Sequence, residues 1–156
     1  MKQLRRNFLK LSGGAGVAAA AAAAGLLKAG SAWAAPWNKS AFESKAVADA
    51  LKGLGATNLI ESKDITITAP DIAENGAIVP IAITSKIPNT QNISIIAEKN
   101  PFPLAASFDI SAGSEGYVSV RVKMGQTSDV YALVKADGKF YMAKKEIKVT
   151  LGGCGG

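Results

Sequence analysis

The sequence predicts an all-β fold, an antiparallel β-sandwich preceded by one short amphipathic α-helix. Three observations predict it. From Asp64 onward the apolar residues recur with a period of about 2 instead of about 3.6. The runs are rich in Ile, Val, Thr and aromatic side chains. Clusters of Gly, Pro, Asn and Asp punctuate them at short intervals.

The helix comes first. Ser40 is expected as its N-cap, with Glu43 reaching back to complete a capping box. Phe42, Ala46, Val47, Ala50, Leu51 and Leu54 recur at helical spacing and form one apolar stripe. Gly53 and Gly55 supply the stop, which gives a single helix of about three turns.

The strands follow. Ile65 and Ile67 alternate with Thr66 and Thr68. Further strands are expected over 78–85, 92–98, 108–110, 117–122, 130–136 and 139–150, with Val118, Val120 and Val122 sharing one face. Turn signals separate them at Glu74-Asn75-Gly76, Ile87-Pro88-Asn89, Asn100-Pro101, the segment from Gly113 to Gly116, and Asp137-Gly138. The Asp-Gly pair is a strong hairpin signal, because a type I′ turn needs positive φ at both central residues. Pro80 marks an edge strand or a bulge. The run 92–97, with Ile93, Ile95 and Ile96, is apolar enough to be covered on both faces, by a sandwich core or by a partner chain. About seven short strands after one helix indicate an immunoglobulin-like antiparallel β-sandwich. A small barrel is the alternative. With no internal repeat or linker, residues 35–151 read as one domain.

The first 34 residues have another purpose. A basic start (Lys2, Arg5, Arg6, Lys10), the apolar run 13–27 and the small residues around Ala32-Trp33-Ala34 have the layout of a cleaved secretory signal. The run holds 15 residues before Lys28, too few to cross a bilayer core comfortably, so no membrane span is expected in the mature form. Arg5-Arg6-Asn7-Phe8-Leu9-Lys10 resembles the bacterial twin-arginine export signal, although Leu4 departs from the Ser or Thr usual before the pair. That route carries folded proteins and places this one in the periplasm. Gly14-Ala15-Gly16-Val17-Ala18-Ala19 mimics a dinucleotide-binding pattern, but arginines precede it where a strand is needed and no acid follows at the right distance.

Removing the signal changes the charge balance. Five of the 18 basic residues lie in it and none of the 12 acids, which leaves 13 against 12, a net of +1. Nucleic acid and acidic membrane surfaces are therefore not expected partners. The chain has no histidine and one cysteine. It lacks a ready general base, an imidazole metal site and any internal disulfide, so neither catalytic residues, metal nor cofactor are expected. One thiol in an exported chain implies pairing with another molecule or a free reactive group.

That thiol, Cys154, lies in Gly152-Gly153-Cys154-Gly155-Gly156. Four flanking glycines offer no side-chain surface to bury and lose the most backbone freedom on ordering. Residues 152–156 thus read as a flexible arm. It carries the thiol roughly 10 Å beyond Leu151, thin enough to enter a narrow channel in another protein. The nearest cation in sequence is Lys148, so activation must come from the enzymes the thiol enters. The residues therefore describe a covalent substrate handle more readily than a catalyst.

A twin-arginine start, a small β-rich domain and an unsubstituted Gly-Gly-Cys-Gly-Gly arm closely resemble the SoxY family, the thiosulfate-oxidation carriers of sulfur-oxidising bacteria. The resemblance implies that Cys154 is the attachment site for thiosulfate and the sulfane intermediates derived from it. Gly152, Gly153, Gly155 and Gly156 match the family's swinging arm. It further implies a heterodimer with SoxZ, a smaller β-sandwich subunit without its own signal. The enzymes implied are a haem cytochrome that makes the linkage, a hydrolase that releases sulfate, and a sulfur dehydrogenase. The competing expectation is a non-catalytic periplasmic immunoglobulin-like interaction domain with a terminal free or dimerising thiol, which would not require the glycines.

Overall fold

The computed structural model describes residues 37–150. The twin-arginine segment lies outside them. The described residues hold two short helices, α1 (Lys39–Phe42) and α2 (Val47–Gly53), and nine strands. The strands are β1 (Leu59–Glu61), β2 (Ile65–Thr68), β3 (Ile72–Ala73), β4 (Val79–Ser85), β5 (Thr90–Ala97), β6 (Leu104–Asp109), β7 (Tyr117–Val122), β8 (Ser128–Ala136) and β9 (Lys139–Val149).

They form two sheets, as an all-β sandwich requires. The larger runs β1-β9-β8-β5-β6, with β3 also paired to β9; the smaller runs β2-β4-β7. Most pairings are antiparallel. β1 and β3 instead lie parallel to β9, matching Leu59 with Phe140 and Ile72 with Lys148. The period-two pattern places Ile93, Ile95, Val130, Ala132, Val134 and Ile147 against Ile65, Val79, Ile81, Ile83, Val118 and Val122 in one core. Full burial of each Ile or Val contributes roughly 1.5–3 kcal/mol before conformational entropy is subtracted.

Local signals explain the connections. Asp137 and Gly138 have φ of 48° and 72°, the type I′ geometry that joins β8 to β9 with Ala136 opposite Lys139. Asn89 turns at φ 54° between β4 and β5. Pro80 stands in β4, the central strand of the small sheet. The pairing of β2 ends at Ala82, so at Pro80 the strand has β7 alone beside it, a local edge.

The expected single helix is corrected to a helical hairpin. Asn38, not Ser40, is the N-cap: its Oδ1 accepts from the Ala41 backbone at 3.2 Å, and Ser40 stands inside α1. Glu43 closes no capping box; it faces Lys39 at 3.8 Å, a surface pair of small value. The Ser44 hydroxyl donates back to the Ser40 carbonyl at 2.7 Å, and Ala46 is extended at φ −123°, which ends one helix and starts the next. Asn38 also ties the hairpin shut, its Nδ2 donating to the Gly53 carbonyl at 2.9 Å. A Cβ on Gly53 would lie 2.8 Å from the Ala41 Cα, so this glycine allows the two helices to touch. Gly55 is the stop: at φ 75° it sits between Gly55 N to Lys52 O at 3.0 Å and Ala56 N to Leu51 O at 2.9 Å, a Schellman pair.

The hairpin covers one end of the large sheet's outer face, where Ala41 and Ala50 pack on Ile96 and Leu104. The two-sided burial expected for 92–97 is thus met within the chain, by the sandwich core below and the helices above. Further along that face Ser94 is fully buried, with its hydroxyl 2.8 Å from both Asn92 Oδ1 and Ser107 Oγ. No helix among the described residues is long and apolar enough to cross a membrane.

Candidate functional site: the root of the arm

Cys154 and its flanking Gly152, Gly153, Gly155 and Gly156 lie outside the described residues. The structure describes the root from which they depart, and it is held from both sides. Along one edge of β9 the Lys148 N–H donates to the Asp71 carbonyl at 2.9 Å and the Thr150 N–H to the Ala73 carbonyl at 3.1 Å. Between them the Val149 N–H points the opposite way and donates to Thr127 Oγ1 at 3.0 Å. The two residues of β3 therefore act as a clasp on the last two residues of β9.

Side chains set the clasp. Lys145 Nζ lies 2.9 Å from Asp71 Oδ1 and donates to the Ala69 carbonyl at 2.6 Å, which fixes the approach to β3 against β9. The Asp71 carboxylate is 88% exposed, so this pair contributes at most about 1 kcal/mol and serves chiefly to set geometry. Behind the root, the Met124 N–H donates to the Gly76 carbonyl at 2.7 Å. A Cβ on Gly76 would collide with the Met124 carbonyl oxygen and lie 2.8 Å from Val149 Cγ1. Only glycine admits that approach.

These residues escaped the sequence reading. The Glu74-Asn75-Gly76 turn was legible, but not its contact with a strand far along the chain. β3 is two residues long, below what an alternation pattern can reveal. Thr127 precedes a strand and carries no local signal.

The root limits where the thiol can go. Cys154 is four residues on from Thr150, a span of at most about 14 Å. An apolar hollow of about 210 Å³ lies beside α2, floored by Ile96, Tyr131, Leu133 and Met142. Its floor residue nearest the root, Tyr131, is opposite Lys144, six residues up β9 from Thr150 and about 20 Å away.

The Tyr131 hydroxyl donates to Glu98 Oε2 at 3.2 Å. Burial pushes its phenol above the ordinary 10.0, and the carboxylates of Glu98 and Asp129 add to the effect. No group of three or more His, Cys, Asp or Glu able to hold a metal occurs among the described residues.

Comparison with known proteins bears on this root directly. The profile of the family described as "Sulfur oxidation protein SoxY" matches residues 51–154, a span that begins in α2 and ends on Cys154. The structure of the sulfur carrier protein SoxY from Chlorobium limicola f thiosulfatophilum is similar at 42% identity and a TM-score of 0.60. That similarity covers 65% of this chain and 92% of the Chlorobium one. A search of curated proteins returned no match. With more than half of the chain matched, the shared sandwich and the matched span closing on the cysteine, this chain belongs to the SoxY family of sulfur oxidation proteins.

Proposed function

We propose that this chain is a periplasmic carrier of the Sox pathway, holding thiosulfate-derived sulfur covalently on Cys154 and presenting it to other enzymes. One observation carries the reading: the family match runs through Cys154, five residues past the end of β9, which is clasped on both sides. A fixed root with a side-chain-free extension suits a handle. The chain acts as substrate carrier, not as enzyme.

Atoms and electrons balance at each step. The thiol loses its proton and joins the outer sulfur of thiosulfate to give Cys–S–S–SO3⁻; the electron pair released passes to the haem cytochrome. Water then attacks the sulfone, releasing sulfate and leaving a persulfide on Cys154. A sulfur dehydrogenase takes six electrons from that remaining sulfane sulfur while three waters supply its oxygens and release six protons, giving Cys–S–SO3⁻, and hydrolysis of this adduct releases a second sulfate and returns the thiol. Thiols cleave such adducts readily, which favours the periplasm over the reducing cytosol.

The same proposal includes export by the twin-arginine route with cleavage after Ala34, and a heterodimer with a SoxZ-like β-sandwich subunit. Arg5-Arg6 with the apolar run, and the A-x-A residues Ala32 and Ala34, support the first. The family supports the second. The test is a Cys154→Ser chain expressed in thiosulfate-grown cells lacking the parent gene. Loss of thiosulfate-dependent respiration with normal periplasmic abundance is expected; full respiration overturns the carrier reading.

A further inference from the structure

Resting on that carrier reading, we propose that Thr127 is a positioning residue for the thiol. By accepting the Val149 N–H, its hydroxyl keeps residues 148–150 in the sheet and so sets the tether of Cys154 at four residues instead of seven. Tether length matters to a carrier because delivery to an enzyme already bound is intramolecular. The effective concentration of the thiol then falls roughly as the −3/2 power of tether length, so going from four residues to seven dilutes it about twofold.

The ladder that holds β9 ends early. Ile147, fully buried, is its last residue paired to β8, opposite Ser128. The backbone donors of Lys148, Val149 and Thr150 are satisfied by other means. Lys148 and Thr150 donate to the β3 side, but β3 is two residues long and among the described residues pairs only with β9. Of the three, Val149 is the one tied back toward β8, and its acceptor is a side chain. That side chain stands on firm ground: the next residue, Ser128, is buried, and its hydroxyl accepts the Lys99 N–H at 3.0 Å.

Two reaches follow. Held at Thr150, the Cys154 backbone extends at most about 14 Å; freed back to Ile147, it extends about 25 Å. Glu61 is exposed and pairs opposite Met142, about 27 Å from Thr150 along β9 but about 17 Å from Ile147. A disulfide adds about 6 Å between Cα atoms, so the thiol of Glu61→Cys meets Cys154 only when 148–150 have left the sheet. Glu146, also exposed, lies about 13 Å from Thr150, and Glu146→Cys is met in either state.

The experiment uses the mature chain with its partner subunit, carrying either Glu61→Cys or Glu146→Cys. It follows by mass the rate at which diamide closes the intramolecular disulfide to Cys154, with Thr127 intact, with Thr127→Val and with Thr127→Ser. Thr127→Val keeps the branched shape but leaves the Val149 N–H without an acceptor unless the root opens to water. The Glu61→Cys rate should therefore rise about fivefold or more. The Glu146→Cys rate should stay within about twofold of the parent, and Thr127→Ser, which keeps the hydroxyl, should match the parent at both positions. Three results overturn the inference: an unchanged Glu61→Cys rate in Thr127→Val, an equal rise at Glu146→Cys, or a Thr127→Ser chain that behaves as Thr127→Val. Absence of any sulfur adduct on the parent chain in thiosulfate-grown cells overturns the carrier reading and leaves the measured reach standing.

Discussion

The Thr150 N–H donates to the Ala73 carbonyl at 3.1 Å, and this bond fixes where the sandwich gives way to the glycine-rich segment bearing Cys154. Ala73 precedes Thr150 by 77 residues, and the Thr150 hydroxyl reaches the same carbonyl. A strand of two residues, brought back parallel to β9, therefore defines the origin of the arm.

Two glycines should fail for different reasons. Gly76→Ala forces a Cβ into the Met124 carbonyl and Val149, and should cost about 1–3 kcal/mol with loosening of the root. Gly138→Ala meets nothing within 4 Å but must hold φ 72°, and should cost about 1–2 kcal/mol with the root unchanged. Urea denaturation, with hydrogen exchange at Val149 and Thr150, separates the two. Exchange that is equally slow in both variants contradicts the role given to Gly76.

Ile96 joins the helical hairpin to the large sheet and is fully buried. Ile96→Ala should lower stability by about 2–5 kcal/mol and release helical signal in circular dichroism before the sheet melts. Loss of both signals in one transition would show that the hairpin and sandwich unfold as one unit.

Tyr131 gives an alkaline signature. Its raised phenol means that the folded chain holds this proton more tightly than the unfolded chain does. The stability it contributes is complete below the ordinary value of 10.0 and is lost as pH rises through the raised one. Denaturant midpoints against pH should therefore fall less steeply above that point in Tyr131→Phe than in the parent. Parallel curves would remove Tyr131 as a source of the slope.

Gly153 tests access separately from folding. Gly153→Leu lies past the clasp and should leave the urea midpoint within about 0.5 kcal/mol of the parent. The same change should slow loading of Cys154 by the conjugating cytochrome, because a branched side chain cannot enter where the thin segment can. Full-rate loading would contradict entry through a narrow channel.

Much of the sandwich was legible because its strands advertise themselves. Period-two alternation located β2, β4, β5, β7, β8 and β9 to within about two residues. Asp137-Gly138 set the last hairpin by backbone chemistry alone. β6 was read only at its end, from 108, since Leu104 packs on the helical side and its stretch Ala105-Ala106-Ser107 carries weak alternation. β1 and β3 were invisible: each is very short and stable only through a parallel partner in β9. The helix was read as one because its apolar stripe continues across the break. What breaks it, the Ser44 back-bond and the Asn38 bridge to Gly53, depends on tertiary contact. The thiol and its glycines were legible by composition, whereas the clasp that holds their root is wholly non-local.

The central claim is that Cys154 carries sulfur, and intact-mass analysis of the periplasmic protein from thiosulfate-grown cells tests it most directly. The carrier reading predicts thiosulfonate or sulfane mass additions confined to the C-terminal peptide and removed by reducing thiols. Protein recovered unmodified from those cells, or additions that persist in Cys154→Ser, would contradict it.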